Sequence, residues 1–213
     1  MTYTQIPFLT CLLLLWNLFT IHFLTKWVYK FIRKYRNIPA EYVGRKIIHI
    51  FCGGIIALLI PVFYVGYYEY VILSAYGLGA YLFFWRKYKL LYWFQIEDNM
   101  YEIHFTFVYG TTLLIGVLLQ NIMVGLIPLL FMSFGDSVTG LVRAFTQKRQ
   151  VKSLDGSLAM FLVCSIIGYH FLGIYGIIVG ATATLVEKIP KIDDNITVPL
   201  VTALLVYIHG FVW

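Results

Sequence analysis

Residues 121–140 read NIMVGLIPLLFMSFGDSVTG: fifteen residues without a charge run into the carboxylate of Asp136, and the hydroxyls of Ser137 and Thr139 follow at once. A carboxylate at the mouth of an apolar segment costs several kcal/mol unless a cation or a metal answers it. The stretch therefore reads as a membrane helix that stops beside a protein-lined cavity.

The rest of the chain agrees. Its 213 residues are 61% hydrophobic, 18% aromatic and only 12% charged, with a mean hydropathy of +0.81. A soluble domain carries about twice that charge. Apolar runs able to cross, or nearly cross, a hydrocarbon layer roughly 30 Å thick occur at 6–25, 47–65, 70–85, 103–119, 121–135, 157–171, 174–186 and 198–213. The expected architecture is a single all-α domain over 1–213, a polytopic bundle of about eight transmembrane helices. The first run lacks a basic n-region and a small-residue cleavage site, so it reads as the first span. The short fifth and seventh runs end at Asp136 and Glu187, as helices ending inside a cavity would. Cys11, Cys52 and Cys164 lie within apolar runs and read as packing residues. Gly176 and Gly180, four apart, suit close helix packing. His22, His170 and His209 read as interfacial polar residues.

The placement of charge says more than its total of +6. Of the 16 Lys and Arg residues, seven lie in 26–46, three in 86–102, four in 143–157 and two in 187–197, while the alternate connections hold none. Under the positive-inside rule the N-terminus and C-terminus are outside and all four polar loops are cytoplasmic, in a prokaryotic plasma membrane or the endoplasmic reticulum. Lys26, Lys30, Arg33, Lys34 and Arg36 suit anionic lipid headgroups, not nucleic acid. The loop 86–102, with Trp85, Tyr92, Trp93 and Phe94 among charges, reads as an amphipathic interfacial segment. Glu102 and His104, just beyond it, fit either a cavity or the interface.

Four polar clusters sit at those loops. In RKIIH (45–49), the four-residue spacing puts Arg45 and His49 on one helical face and Lys46 on an adjacent one. Such a set asks for anionic company, and Arg and Lys together suit a polyphosphate; a snorkelling basic pair is the plainer alternative. In GDS (135–137), Asp136 can hold Mg²⁺ while Ser137 and Thr139 contact phosphate; Leu141 and Val142 stand where a P-loop needs Lys and Ser or Thr. In KSLDGS (152–157), Lys152, Ser153, Gly156 and Ser157 have the makings of a phosphate-holding turn, with Asp155 or Ser157 as helix cap. In EKIPKIDDN (187–195), Pro190 is expected to break the helix and fold the acidic triplet back along the surface. Glu187 is the better metal-ligand candidate there; Asp193, Asp194 and Asn195 fit a metal, a nucleotide's ribose or a basic loop, and a turn that merely caps the last helix also accounts for Asp193.

Taken in order, RKIIH (45–49), FGDS (134–137), KSLDGSLAMF (152–161) and ATLVEKIPKIDDNITVPL (183–200) resemble the membrane-embedded CTP-using lipid kinases, which include dolichol kinase, phytol kinase and the CTP-dependent diacylglycerol kinase of fungi and are related to membrane cytidylyltransferases. The resemblance covers about three-quarters of the chain. It implies transfer of the γ-phosphoryl group of CTP, with Mg²⁺, to a lipid hydroxyl. Arg45 and Lys46 match the family's basic pair, Asp136 its central acidic residue, and Lys152, Ser153, Gly156 and Ser157 its Lys-Ser/Thr-x-x-Gly-Ser signature. Glu187, Asp194, Asn195 and Pro199 match its last acidic motif. Asp155 stands where Glu is usual. Between Asp136 and Lys152 many members carry a Gly-rich basic connection, whereas this chain has RAFTQKR (143–149), so Arg143, Lys148 or Arg149 would contact phosphate through side chains.

The expected reaction has Asp136 with Glu187 or Asp194 placing one or two Mg²⁺ ions, and Arg45, Lys46 and Lys152 neutralising charge. His49 or a spare carboxylate would take the proton. The acceptor is expected to be a long isoprenoid alcohol such as dolichol, another polyprenol, phytol or geranylgeraniol, entering from the membrane lipids. Diacylglycerol as acceptor, cytidylyl transfer to a lipid phosphate, and non-catalytic lipid transport are the alternatives.

Overall fold

The computed structural model describes residues 5–35, 37–189 and 193–212, and every regular element among them is a helix. Arg36, Pro190, Lys191 and Ile192 lie outside the described residues, so the break expected at Pro190 does too. Eight rods follow one another: α1 (Gln5–Ile32), α2 (Ala40–Phe63), α3 (Tyr68–Tyr88), α4 (Tyr101–Leu118), α5 (Ile122–Thr146), α6 (Leu154–Leu172), α7 (Ile174–Glu187) and α8 (Asp194–Val212). Each underlies one of the eight apolar runs. Five of them, α1, α2, α4, α5 and α6, are long and apolar enough to cross a membrane. At 14 residues α7 reaches only about 21 Å, short of a hydrocarbon layer.

Burial ranks the rods. The apolar stretch of α5 is 78% buried against 22% for α1, so α5 is the central pillar and α1 stands at the edge. Around α5 the apolar side chains form three clusters, including one of Leu113, Leu126, Leu129 and Leu130 between α4 and α5 and another of Phe131, Met160, Cys164 and Val179 joining α5 to α6 and α7.

Three rods change winding along their length. A π turn occupies Thr20–Leu24 in α1, His49–Gly54 in α2 and Phe131–Gly135 in α5. One inserted residue rotates everything beyond it by roughly 100° relative to an unbroken α-helix. The second and third π turns pack against each other. Gly53 and Gly54 allow this, because the Ser133 hydroxyl and the Phe134 ring fill the space their Cβ atoms would take. The result aims His49 and Asp136 at one another.

The expectation that the fifth helix stops at Asp136 is corrected: it continues to Thr146, and Asp136 lies within it. The π turn, rather than a helix end, turns the carboxylate inward. The seventh does end at Glu187, which is 1% exposed. The interfacial reading of 86–102 is corrected as well. Residues 89–100 are turns and irregular chain, and Trp93 and Phe94 are buried in a cluster with Ile21, Val43 and Leu82. The Trp93 carbonyl fits against Gly44 because that residue has no Cβ, and the Trp93 indole N–H donates to the Ile21 carbonyl. Tyr92 and Trp85 remain outside the core. His22, expected to be interfacial without a partner, shares a hydrogen bond of 2.8 Å with the Tyr81 hydroxyl.

Candidate functional site

Four connections, α1–α2, α3–α4, α5–α6 and α7–α8, gather at one end of the bundle, and together with the helix ends that flank them they contain all 16 Lys and Arg of the sequence. Between them lies a cavity of about 210 Å³ lined by Tyr42, Arg45, Lys46, His49, Tyr101, Arg143, Gln150, Lys152 and the run Asp193–Asn195. Residues more than a hundred positions apart thus share one polar chamber.

Its floor is a buried triad. Lys46 Nζ donates to Asp136 Oδ2 at 2.6 Å, and His49 Nδ1 stands 3.0 Å from the same oxygen, without the alignment of a hydrogen bond. All three residues are 4–6% exposed. A charge so placed is tolerated because its partner is there. The Lys46 stem runs over Gly140, where any Cβ would collide with it, and Ser137 Oγ donates to the Lys46 carbonyl at 3.1 Å. Lys46 and His49, three apart, share a partner, whereas Arg45 turns to Asn99 and Gln150 at 3.3 and 3.0 Å. All three nevertheless line the cavity. Arg45 also lies over the rings of Tyr42 and Tyr101, at 5.5 and 5.3 Å.

A second ionic group forms one wall. Arg143 grips both oxygens of Glu187, at 2.7 and 3.1 Å, in the bidentate geometry that makes such pairs strong. Lys152 donates to Glu187 Oε1 at 2.8 Å and to its backbone carbonyl, and reaches Asp194 Oδ2 at 3.4 Å. Burial opposes the Lys152 charge, yet Asp194 and Glu187 together hold its pKa above the ordinary lysine value. Gly156 gives Arg143 its path, since a Cβ there would meet the guanidinium arm. Arg143 therefore belongs to the site through side-chain geometry, while Lys148 and Arg149 are exposed and do not line it.

The KSLDGS turn acts as a helix cap, with a different residue in charge than expected. The Ser153 side chain accepts from the Gly156 N–H, and Ser157 Oγ donates to the Ser153 carbonyl at 3.0 Å. Asp155 faces away and takes a hydrogen bond from Gln147. Of that signature Lys152 lines the cavity and Ser153, Asp155, Gly156 and Ser157 do not. Asp193 opens α8: its backbone carbonyl accepts from the Ile196 and Thr197 N–H groups and its Oδ1 from that of Asn195, while Oδ2 meets His104 Nδ1 at 2.5 Å. The buried Asn195 Oδ1 has no hydrogen-bond partner. Sequence reasoning passed over Tyr42, Tyr101 and Gln150. Tyr42 had a signal, lying one turn before Lys46 on the same face, but Gln150 in a loop had none.

Among the described residues no group of three or more His, Cys, Asp or Glu side chains gathers closely enough to hold a metal by itself. Both Glu187 oxygens are occupied by cations. Asp194, which lines the cavity, and Asp136, buried against Lys46, are the carboxylates left for Mg²⁺, which needs one or two when phosphate oxygens and water complete its shell.

No family model matches the chain, and no solved structure does. An uncharacterized protein of Methanocaldococcus jannaschii is 31% identical over 96 residues, which make up 42% of this chain and 50% of that protein. The chain thus spans about half the length of this relative, whose name assigns no activity.

Proposed function

We propose that this chain is a membrane lipid kinase that transfers the γ-phosphoryl group of CTP to the hydroxyl of a long-chain isoprenoid alcohol. The reading includes eight membrane spans with both termini outside, and a cavity facing the cytoplasm of a prokaryotic cell or of the endoplasmic reticulum. One observation carries it: three of the four segments that resemble the CTP-using lipid kinases line a single chamber rich in paired cations, and Asp136 of the fourth pairs with Lys46 beneath it.

Phosphoryl transfer needs in-line positioning and charge stabilisation more than covalent chemistry. Arg45, facing the cavity and held by the neutral side chains of Asn99 and Gln150, is ready to take a phosphate oxygen. Lys46 and Lys152 are each paired with carboxylates and transfer part of their hydrogen bonding to phosphate when one arrives. Arg143 and Glu187 lock the wall on which Lys152 sits, so Glu187 serves as an anchor and not as a metal ligand. Mg²⁺ carried on the triphosphate and held by Asp136 and Asp194 would neutralise charge on the bridging oxygens. His49, which lines the chamber beside Asp136, takes the acceptor's hydroxyl proton. Asn195 Oδ1, buried and unpaired, is placed to accept from a nucleotide amino or hydroxyl group.

The test is purified protein in liposomes with Mg²⁺, each labelled nucleoside triphosphate in turn, and a panel of lipid alcohols. Labelled lipid from γ-phosphate CTP with isoprenoid alcohols is the expected result. Diacylglycerol as the better acceptor would reassign the substrate, and label retained only from the α-phosphate would reassign the reaction to cytidylyl transfer. Lipid movement without nucleotide and without product would overturn the enzymatic reading.

A further inference from the structure

In the proposed topology the last part of α1 leaves the membrane on the side of the chamber. About twenty residues span a hydrocarbon layer roughly 30 Å thick at about 1.5 Å per residue, which accounts for α1 from Gln5 to about Thr25. Residues 26–32 and the turn 33–35 that follows then stand among lipid headgroups. They show three faces. Thr25, Tyr29 and Ile32 are buried against the bundle. Trp27, Phe31 and Tyr35 are exposed and form a column of rings, with centroids 6.0 Å apart in the first pair and 5.8 Å in the second. Lys26, Lys30 and Lys34, at four-residue spacing, make a basic column beside it, joined by Arg33.

No carboxylate answers this charge. The chain holds no Asp or Glu before Glu41, and among the described residues none of these four cations makes an ion pair. Lys26 lies instead over the Trp93 ring, 5.1 Å from its centroid, and Arg33 donates to the Tyr29 hydroxyl at 3.1 Å. In the chamber, by contrast, Lys46, Arg143 and Lys152 each hold a carboxylate. A basic column beside a column of rings matches an anionic phospholipid, whose headgroup pairs with cations while the upper part of its acyl chains lies against aromatic side chains. A soluble anion has no use for the rings.

The same helix holds the loop that furnishes part of the chamber. The Trp93 indole donates to the Ile21 carbonyl at 2.7 Å, the Tyr92 ring meets that of Tyr29 at 5.6 Å, and Lys26 covers Trp93. Further along, Asn99 accepts from Arg45 and Tyr101 lies against its guanidinium. We infer that the cytoplasmic end of α1 is a site for anionic phospholipid, and that its occupation steadies the 89–100 loop and with it the Arg45 end of the chamber. The lipid site needs only the membrane placement of α1. Its consequence, turnover that depends on anionic lipid, rests on the proposed function.

The binding test needs no turnover. Purified protein in detergent is given an equal mixture of phosphatidylglycerol and phosphatidylcholine, and retained lipid is counted by native mass spectrometry. Each Lys or Arg strengthens binding to an anionic surface roughly fivefold, so a preference for phosphatidylglycerol of about tenfold or more is expected. Lys30→Gln/Arg33→Gln/Lys34→Gln should remove most of it, whereas Lys87→Gln/Lys89→Gln, which changes exposed cations elsewhere on the same side, should keep it. Glycerophosphoglycerol, the headgroup without acyl chains, should not displace the lipid. Equal retention of the two phospholipids by the wild-type protein, equal loss in both variants, or displacement by the bare headgroup would overturn the site. Hydrogen exchange in nanodiscs reads the coupling: amides of residues 89–100 should exchange several-fold more slowly with phosphatidylglycerol present than in phosphatidylcholine alone, and the triple variant should not respond. Exchange indifferent to lipid in the wild-type protein would sink the coupling. Selective retention and slowed exchange with no phosphoryl transfer from any nucleotide keep this inference and remove the kinase; transfer unaffected by phosphatidylglycerol keeps the kinase and removes the coupling.

Discussion

Glycine brings helices together in two places, with opposite consequences. At the polar chamber, Gly140 and Gly156 make room for the arms of Lys46 and Arg143; in the α6–α7 hairpin, Gly168 and Gly176 face each other backbone to backbone. A methyl group added in the chamber meets the arms of Lys46 and Arg143, which can shift only by disturbing their ion pairs with Asp136 and Glu187. Added in the hairpin it meets carbonyls fixed in hydrogen-bonded helices, which cannot. The first pair of glycines positions charge and the second holds the fold, although nothing in the residue type distinguishes them.

The largest effect tests whether charge is what the chamber is built for. Asp136→Asn keeps the shape but leaves Lys46 buried without its anion, and breaking such a pair costs about 3–5 kcal/mol. Turnover should fall to background; a folded Asp136→Asn protein with full activity would refute the central role of that carboxylate. Next come Gly168→Ala and Gly176→Ala. Overpacking against backbone should cost about 1–3 kcal/mol, seen as a lower midpoint of thermal unfolding in detergent. Gly140→Ala and Gly156→Ala should behave differently. Ala gains about 1 kcal/mol of helix propensity over Gly, which offsets only part of the cost of displacing an ion-paired arm, so activity should fall further than the melting midpoint does. Should all four variants lose stability equally, the distinction between the two regions would be gone.

The smallest effect concerns Lys152. Its pKa is raised in the folded protein, so the stabilisation it contributes is complete below the unfolded lysine value of about 10.4 and is lost only as pH rises through the higher folded value. The difference in melting midpoint between wild type and Lys152→Met should therefore be constant from neutral pH to pH 9 and should close above the ordinary lysine range. A difference that shrinks already between pH 7 and 9 would mean that Asp194 and Glu187 do not hold the ammonium in its charged form.

Much of the helical layout was legible because its signals are local. Apolar runs mark helices through hydropathy alone, and α1 to α8 appear where the eight runs fall. The clustering of Lys and Arg in alternate loops reflects which ends of antiparallel rods lie together, and the chamber forms there. What sequence reasoning misplaced depended on winding and partners. Asp136 read as a helix end because the polar residues begin there, whereas a π turn carries the helix on. Trp93 and Phe94 read as interfacial because aromatic residues among charges usually are, yet the bare face of Gly44 admits that loop into the core. Glu187 read as a metal ligand because an unpaired carboxylate near a membrane asks for a cation, and only the folded chain shows that Arg143 and Lys152 supply it.

The sequence by itself determined that this chain is a helical bundle of membrane character with its charge gathered at one end, because hydropathy and loop charge act on each segment independently. The tertiary structure alone decided which charge meets which and which polar atoms are left unpaired. Those pairings depend on the rotation of α2 and α5 about their axes, and that rotation is set by π turns and by packing between segments some 90 residues apart in the chain, such as Lys46 and Asp136.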